Sequence, residues 1–210
     1  MLRYWDGFSW STYDTVLTDT NGRYSFLDHP QLTNSNEAKY IRWNNAPSYN
    51  DNFLWTHWCN EIYKDSSISN YTCNFDVENI IMNLPEPGVT KNFPITFTWT
   101  PRLQTSDSYE LDIFDIGNDP DEPEYYSALL GYVNSLRIDS LNALNSAASI
   151  PGFSTGVDYG WDVWVIDPDG YGESYYYYEI RFGGSSQFPA KLTPGFLRPN
   201  ERTDPFIQVR

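Results

Sequence analysis

The stretch 159–182, Y-G-W-D-V-W-V-I-D-P-D-G-Y-G-E-S-Y-Y-Y-Y-E-I-R-F, limits what this chain can fold into more than any other. Tyr159, Trp161, Val163 and Val165 alternate with Gly160, Asp162 and Trp164, the period of a strand. Further on, Tyr176, Tyr178, Ile180 and Phe182 fall on one face of a second strand. Asp-Pro-Asp-Gly at 167–170 is turn chemistry: Pro168 presets its φ and Gly170 accepts a positive φ. A hairpin with this many rings is not stable alone in water, so other strands must cover it.

The rest of the chain supplies that cover. The aromatic share is 18%, with 8 Trp, 17 Tyr and 12 Phe, residue types suited to pleated sheets. Prolines and glycines punctuate nearly the whole length, and long runs of helix formers are missing. The expected class is all-β. The 13 basic residues against 28 acidic give a net charge of −15. That balance excludes phosphate-backbone binding and disfavours an anionic membrane surface, so neither nucleic acid nor membrane insertion is expected.

Strands are expected at Leu2–Trp5, at 13–17 after an Asp6-Gly7 turn, and from Tyr24 and Phe26 after the Asn21-Gly22 hairpin signal. Others fall at 39–43, in the aromatic segment 53–62, and at 74–80. Past the proline-stiffened joint at 84–88, clean alternation marks 95–99 and 109–113. Two more strands are expected around 126–130 and 135–141, then one helical turn within 142–149. From residue 184 the character changes. Four prolines divide the tail, which carries four basic and two acidic residues while the remainder is strongly acidic. The expected architecture is two tandem β-sandwich domains, 1–84 and 85–183, followed by an extended proline-containing C-terminal tail, 184–210.

Two family resemblances bear on this architecture. Phe97-Thr-Trp99-Thr-Pro101, Tyr109-Glu-Leu111-Asp-Ile113, Leu141, Pro151-Gly152 and the alternating run from Tyr159 to Val165 make residues 86–182 resemble a fibronectin type III-like domain. The resemblance makes Tyr159 the corner tyrosine of a late strand. Thr18-Asp19, Asn21-Gly22, Tyr24, Phe26, Tyr40, Arg42 and Asn74-Phe75-Asp76 make residues 1–84 resemble a carboxypeptidase-regulatory-like (transthyretin-like) sandwich. That family starts with a further strand before the segment that begins here at Leu2. Such a sandwich is expected to be part of a longer chain or to accept a strand from a neighbouring subunit. The candidate donor is Phe206-Ile207-Gln208-Val209, and head-to-tail donation would build an open filament. The pairing of the two domains resembles bacterial secreted and cell-surface proteins, in which such modules are non-catalytic spacers or adhesive units. The resemblance thus implies an extracellular location and, as partners, other subunits or adjacent domains of a longer chain.

Candidate chemistry is sparse. Cys59 and Cys73 are an even pair in a β-rich chain, which fits one disulfide in an oxidising compartment, with two buried thiols as the alternative. Two cysteines are too few for a closed zinc site, although His57 lies two residues from Cys59. His29 and His57 are the only histidines, and no Ser/His/Asp arrangement or Gly-x-Ser-x-Gly elbow is present, so no enzyme is expected. No cofactor is expected either, save calcium at the acidic loop of Asp115, Asn118, Asp119, Asp121 and Glu122, which concentrates oxygen ligands without EF-hand spacing. The competing function is carbohydrate binding, with Trp5, Trp10, Trp55, Trp58, Tyr175 and Tyr177 as candidate stacking platforms for glycans.

Overall fold

A computed structural model describes residues 1–20, 22–27, 31–45, 50–64, 72–116 and 123–183, and the backbone of 192–194. The protein is an all-β sandwich, with one short helix among the described residues. Its strands are β1 (Leu2–Trp5), β2 (Trp10–Asp14), β3 (Ala38–Asn44), β4 (Thr56–Cys59), β5 (Ile62–Tyr63), β6 (Ile81–Leu84), β7 (Val89–Lys91) and β8 (Ile95–Thr100). They continue with β9 (Ser108–Asp115), β10 (Glu124–Tyr126), β11 (Ser135–Ile138), helix α1 (Leu141–Ala147), β12 (Asp158–Asp167), β13 (Gly170–Glu173), β14 (Tyr176–Phe182) and β15 (Leu192–Pro194).

Two sheets result. The smaller is β11-β8-β6; the larger runs β10-β9-β12-β13-β4-β3-β1-β2, with β14 beside β12, β7 and β15 beside β14, and β5 beside β3. All pairings are antiparallel except β14 with β7. Alternation in β8 turns Ile95, Phe97 and Trp99 toward the larger sheet, where Tyr109, Leu111, Ile113, Trp161, Val163 and Val165 meet them. Phe97 and Trp161 pack edge to face with centroids 5.1 Å apart. Such pairs add about 0.5–1.5 kcal/mol beyond area burial. Tyr159 closes one end of this core: its hydroxyl accepts the Ser154 N–H at 2.9 Å.

The second arm of the 159–182 hairpin is split. β13 pairs with the upper half of β12 (Trp164↔Glu173 to Asp167↔Gly170), and β14 pairs with the lower half (Trp161↔Tyr178 to Asp158↔Arg181). Residues 174–177 stand opposite Asp162 and Val163, two more than the ladder requires, and form a bulge. Ser174 stitches the bulge, with its N–H donating to the Val163 carbonyl at 3.1 Å and its hydroxyl to the Tyr176 carbonyl at 3.0 Å.

Above the bulge, β13 pairs with β4 on its other edge, from Gly170↔Cys59 to Glu173↔Thr56. Residues 1–80 therefore join the larger sheet directly, and the chain does not break into separate sheets at the 84–88 joint. Among the described residues, 1–80 contribute strands to that one sheet alone. Gly170 serves this junction and not a positive-φ turn: a Cβ there would lie 1.9 Å from the Trp58 carbonyl oxygen. At Gly172 a Cβ would lie 2.5 Å from Leu54 Cδ1. Glycine is the residue that permits such close backbone approach.

Expected strands around Tyr24–Phe26 and across 74–80 are not strands. The turn at Gly22 exists, with its N–H donating to the Asp19 carbonyl at 3.0 Å, but no ladder follows it. Tyr24, Phe26 and Phe75 instead pack as irregular segments over Leu2, Ile41, Cys59 and Cys73. Their alternation reflects inward-facing rings; the backbone of Val77 and Asn79 pairs with that of Leu54 and Asn52 around a single Phe53–Glu78 bridge, too short to count as a strand.

Candidate functional site

The strand β4 turns His57 and Cys59 to one face and Trp58 to the other, as a period of two requires. Both sides of this strand carry most of the site chemistry.

On the first side, Cys59 and Cys73 form a disulfide, which resolves the alternatives left by the sequence. His57 is fully buried beside it, edge-on to Phe75 at 5.3 Å. His57 Nε2 lies 2.8 Å from Asp167 Oδ2, and Nδ1 has no hydrogen-bond partner among the described residues. Asp167 ends β12 and opens the turn into β13. Its Oδ1 accepts the N–H groups of Asp169 at 3.0 Å and Gly170 at 2.8 Å, which leaves Oδ2 for His57 and for Arg102 Nη2 at 3.2 Å.

Arg102 is the hub. It follows β8, is only 1% exposed, and donates Nε to Asp107 Oδ2 at 2.9 Å and Nη1 to the Asp76 carbonyl. Its backbone is fixed at both ends, by its N–H to the Tyr109 hydroxyl at 2.9 Å and by its carbonyl from the Tyr132 hydroxyl at 2.8 Å. Burial works against the guanidinium charge, but Asp107, Asp76 and Asp167 more than offset it and raise its pKa. Burial likewise opposes ionisation of Asp167, yet the His57 hydrogen bond and the Arg102 charge together hold its carboxyl below the ordinary range. Burial pushes the Tyr109 phenol well up. The result is a desolvated, ionised cluster that links β4, the 72–80 segment, the end of β8 and the β12–β13 turn. Sequence reasoning missed Arg102, Asp107 and Asp76 here and read Asp167 as a plain turn residue. The available signal was an arginine directly after Thr-Pro in a chain poor in cations.

On the other side of β4 lies Trp58, one of the rings expected to stack on sugars. Trp58 is buried in a cluster with Trp164 at 5.4 Å and Tyr171 at 5.1 Å, which are themselves 6.0 Å apart, and the Arg42 guanidinium lies 4.9 Å from its ring centre. Tyr175 and Tyr177 are buried too, against Trp55 at 6.1 Å and Phe114 at 5.3 Å. Those three are therefore not exposed platforms. The tyrosine run does not leave a solvent face because Tyr176 and Tyr178 pack on the sandwich core while Phe114 covers the opposite side. Trp5, Trp10 and Trp55 are half-buried, and Trp5 and Trp10 form a tilted pair at 5.7 Å on the β1–β2 edge hairpin.

Of the expected calcium ligands, Asp115 stands half-buried at the end of β9, its N–H donating to the Pro123 carbonyl at 3.2 Å. Asn118, Asp119, Asp121 and Glu122 lie outside the described residues, as do His29 and the candidate donor segment Phe206, Ile207, Gln208 and Val209. Among the described residues no helix is long and apolar enough to cross a membrane. Compared with known proteins, the chain matches no family model and no curated protein.

Proposed function

We propose that this chain is a non-catalytic structural or adhesive module of an extracellular, cell-surface protein. One observation carries the reading. The β13 strand is bonded to β12 on one edge and β4 on the other, with the disulfide and the Arg102 cluster beneath the same seam. A load applied to either half must break main-chain hydrogen bonds, a desolvated ion cluster and ring packing together. The disulfide suits an oxidising compartment, and the Tyr159–Ser154 hydrogen bond supports reading Tyr159 as a corner tyrosine.

Pulling single molecules of the chain between flanking marker domains tests the reading. One cooperative unfolding event for the region 1–183 is expected. Two independent low-force events would overturn a load-bearing role. Filament formation by tail exchange is a further part of this proposal, tested by light scattering of the chain with and without residues 184–210. Polymers that vanish with the tail support it, and a monomer in both forms removes it. Carbohydrate binding is a second reading favoured by the half-buried Trp5–Trp10 pair on the edge hairpin. Glycan-dependent tryptophan fluorescence that Trp5→Ala abolishes would carry that reading.

A further inference from the structure

We propose that His57, Cys59 and Cys73 form a redox-gated metal site: a disulfide when oxidised, and a Cys2His site for a thiophilic d10 cation such as Zn²⁺ when reduced. A ring nitrogen of His57 and the two sulfurs all lie within 4.8 Å of one another, and all three residues are buried. Ligand atoms around one tetrahedral zinc stand about 3.5–3.8 Å apart, given Zn–S of about 2.3 Å and Zn–N of about 2.0–2.1 Å. The histidine nitrogen therefore needs to approach by about 1 Å at most, while the two sulfurs, about 2.05 Å apart in a disulfide, separate by about 1.7 Å once their bond opens.

Proximity alone would be weak, because a histidine beside a disulfide needs no further purpose. The second observation is the state of the imidazole. It is fully buried, its Nδ1 has no hydrogen-bond partner among the described residues, and its Nε2 is held by Asp167 at 2.8 Å. A carboxylate on one ring nitrogen with the other left open is how proteins orient a metal-binding histidine and fix its tautomer. Asp167 is itself anchored by two backbone N–H groups and by Arg102, so the ring is preset. The surrounding Leu2, Ile41, Tyr24, Phe26 and Phe75 keep the pocket apolar. In that setting a neutral imidazole and two thiolates neutralise a divalent ion, and the fourth position is open to water.

The chemistry balances. A two-electron reductant of the dithiol class delivers two electrons and two protons to the sulfur–sulfur bond, becomes a disulfide itself, and leaves Cys59 and Cys73 as thiols. The cation then displaces the two thiol protons to solvent. The inference concerns the reduced chain and does not rest on the adhesive reading.

The test uses the full chain, reduced with a trialkylphosphine that takes oxygen from water as it becomes the phosphine oxide and leaves two thiols. Titration with Co²⁺ is expected to give one ion per chain, with a thiolate charge-transfer band and visible ligand-field bands that Zn²⁺ abolishes. The oxidised chain should give neither. Asp167→Asn, a positioning change, should weaken Co²⁺ binding about 10–100-fold, and His57→Gln should alter the ligand-field bands. A reduced chain that keeps its near-ultraviolet circular dichroism but takes up no Co²⁺ overturns the proposal, as do bands that His57→Gln leaves unchanged. Should reduction abolish the tertiary signal, recovery on adding Zn²⁺ supports the site and failure to recover overturns it.

Discussion

Residues 81–182 and residues 1–80 share one sheet but are held together by different physics. The later region closes two sheets over a ring-filled core, in which Phe97, Trp99, Tyr109, Trp161 and Val163 are essentially without solvent contact. The earlier region has one sheet, and irregular segments cover one face of it. A small cluster around the disulfide, the turn at Asp19–Arg23 and the Thr33–Glu37 loop hold those segments in place. The difference teaches that a sheet face can be covered by loops when cross-links and side-chain hydrogen bonds replace the second ladder. Covering by strands draws on area; covering by loops draws on a few specific contacts, each more exposed to chemical change.

The largest effect should come from the ring core. Trp161→Ala removes a fully buried side chain, and about 3–5 kcal/mol of stability should be lost in urea unfolding. Phe75→Ala, in the loop-covered region, should cost clearly less because Phe75 is only partly buried. Equal losses at the two sites would show that the loop cover is as tightly packed as the sandwich.

The seam comes next. Arg102→Met leaves Asp107 and Asp167 buried without their cation, which should cost about 3–5 kcal/mol. The same change should also separate the two regions, so that circular dichroism and tryptophan fluorescence no longer give coincident transitions. A coincident transition in the variant would mean that the β13–β4 ladder alone couples them. Reducing the Cys59–Cys73 bridge in a metal chelator should remove about 3 kcal/mol, the loop-closure value for a span of this length. That loss should be largest in exchange protection of residues 1–80, which hold the bridge. Tyr159→Phe should cost only about 1 kcal/mol, the net value of one hydrogen bond, because the ring stays packed against Phe153 and Phe182.

This contrast also explains what could be read from the sequence. Alternation of residue types in Ile95–Thr100, Ser108–Asp115 and Asp158–Asp167 marked the sandwich strands; burial alternates with it only in Ile95–Thr100, whereas Asp158–Asp167 is buried on both faces from Tyr159 to Val165. The same alternation misled at Tyr24–Phe26 and 74–80, where inward rings satisfy the pattern without a ladder. The tyrosine run misled in the opposite sense, since both of its faces are covered. The Arg102 cluster was invisible because its members are spread over residues 57, 76, 102, 107 and 167, and only long-range pairing brings them together. Gly170 was legible as a special position, but for the wrong reason: the need is contact with Trp58, and nothing local announces it.

Acid should sharpen the comparison with the smallest effect. Glu37 accepts the N–H groups of Thr33 at 2.5 Å and Asn34 at 3.1 Å, and these bonds lower its pKa to about 2. In the unfolded chain a glutamate titrates near about 4.3. A carboxylate depressed on folding contributes stability that is complete above the unfolded pKa and is lost as pH falls through the folded one. Asp167 is depressed in the same direction, so the seam should follow the same sign. The urea midpoint should therefore fall between pH 5 and pH 2. Glu37→Gln should lower the midpoint at pH 5 and change it little at pH 2, where the wild-type carboxylate is half protonated or more. Hydrogen exchange at each pH should place the Glu37 share of the loss in the 33–45 segment and the neighbouring β1, since this carboxylate pins the loop that leads into β3 and also interacts with Tyr4. A pH-independent difference between wild type and variant would mean that the loop holds through packing, and the contrast between a loop-covered and a strand-covered face would lose its electrostatic part.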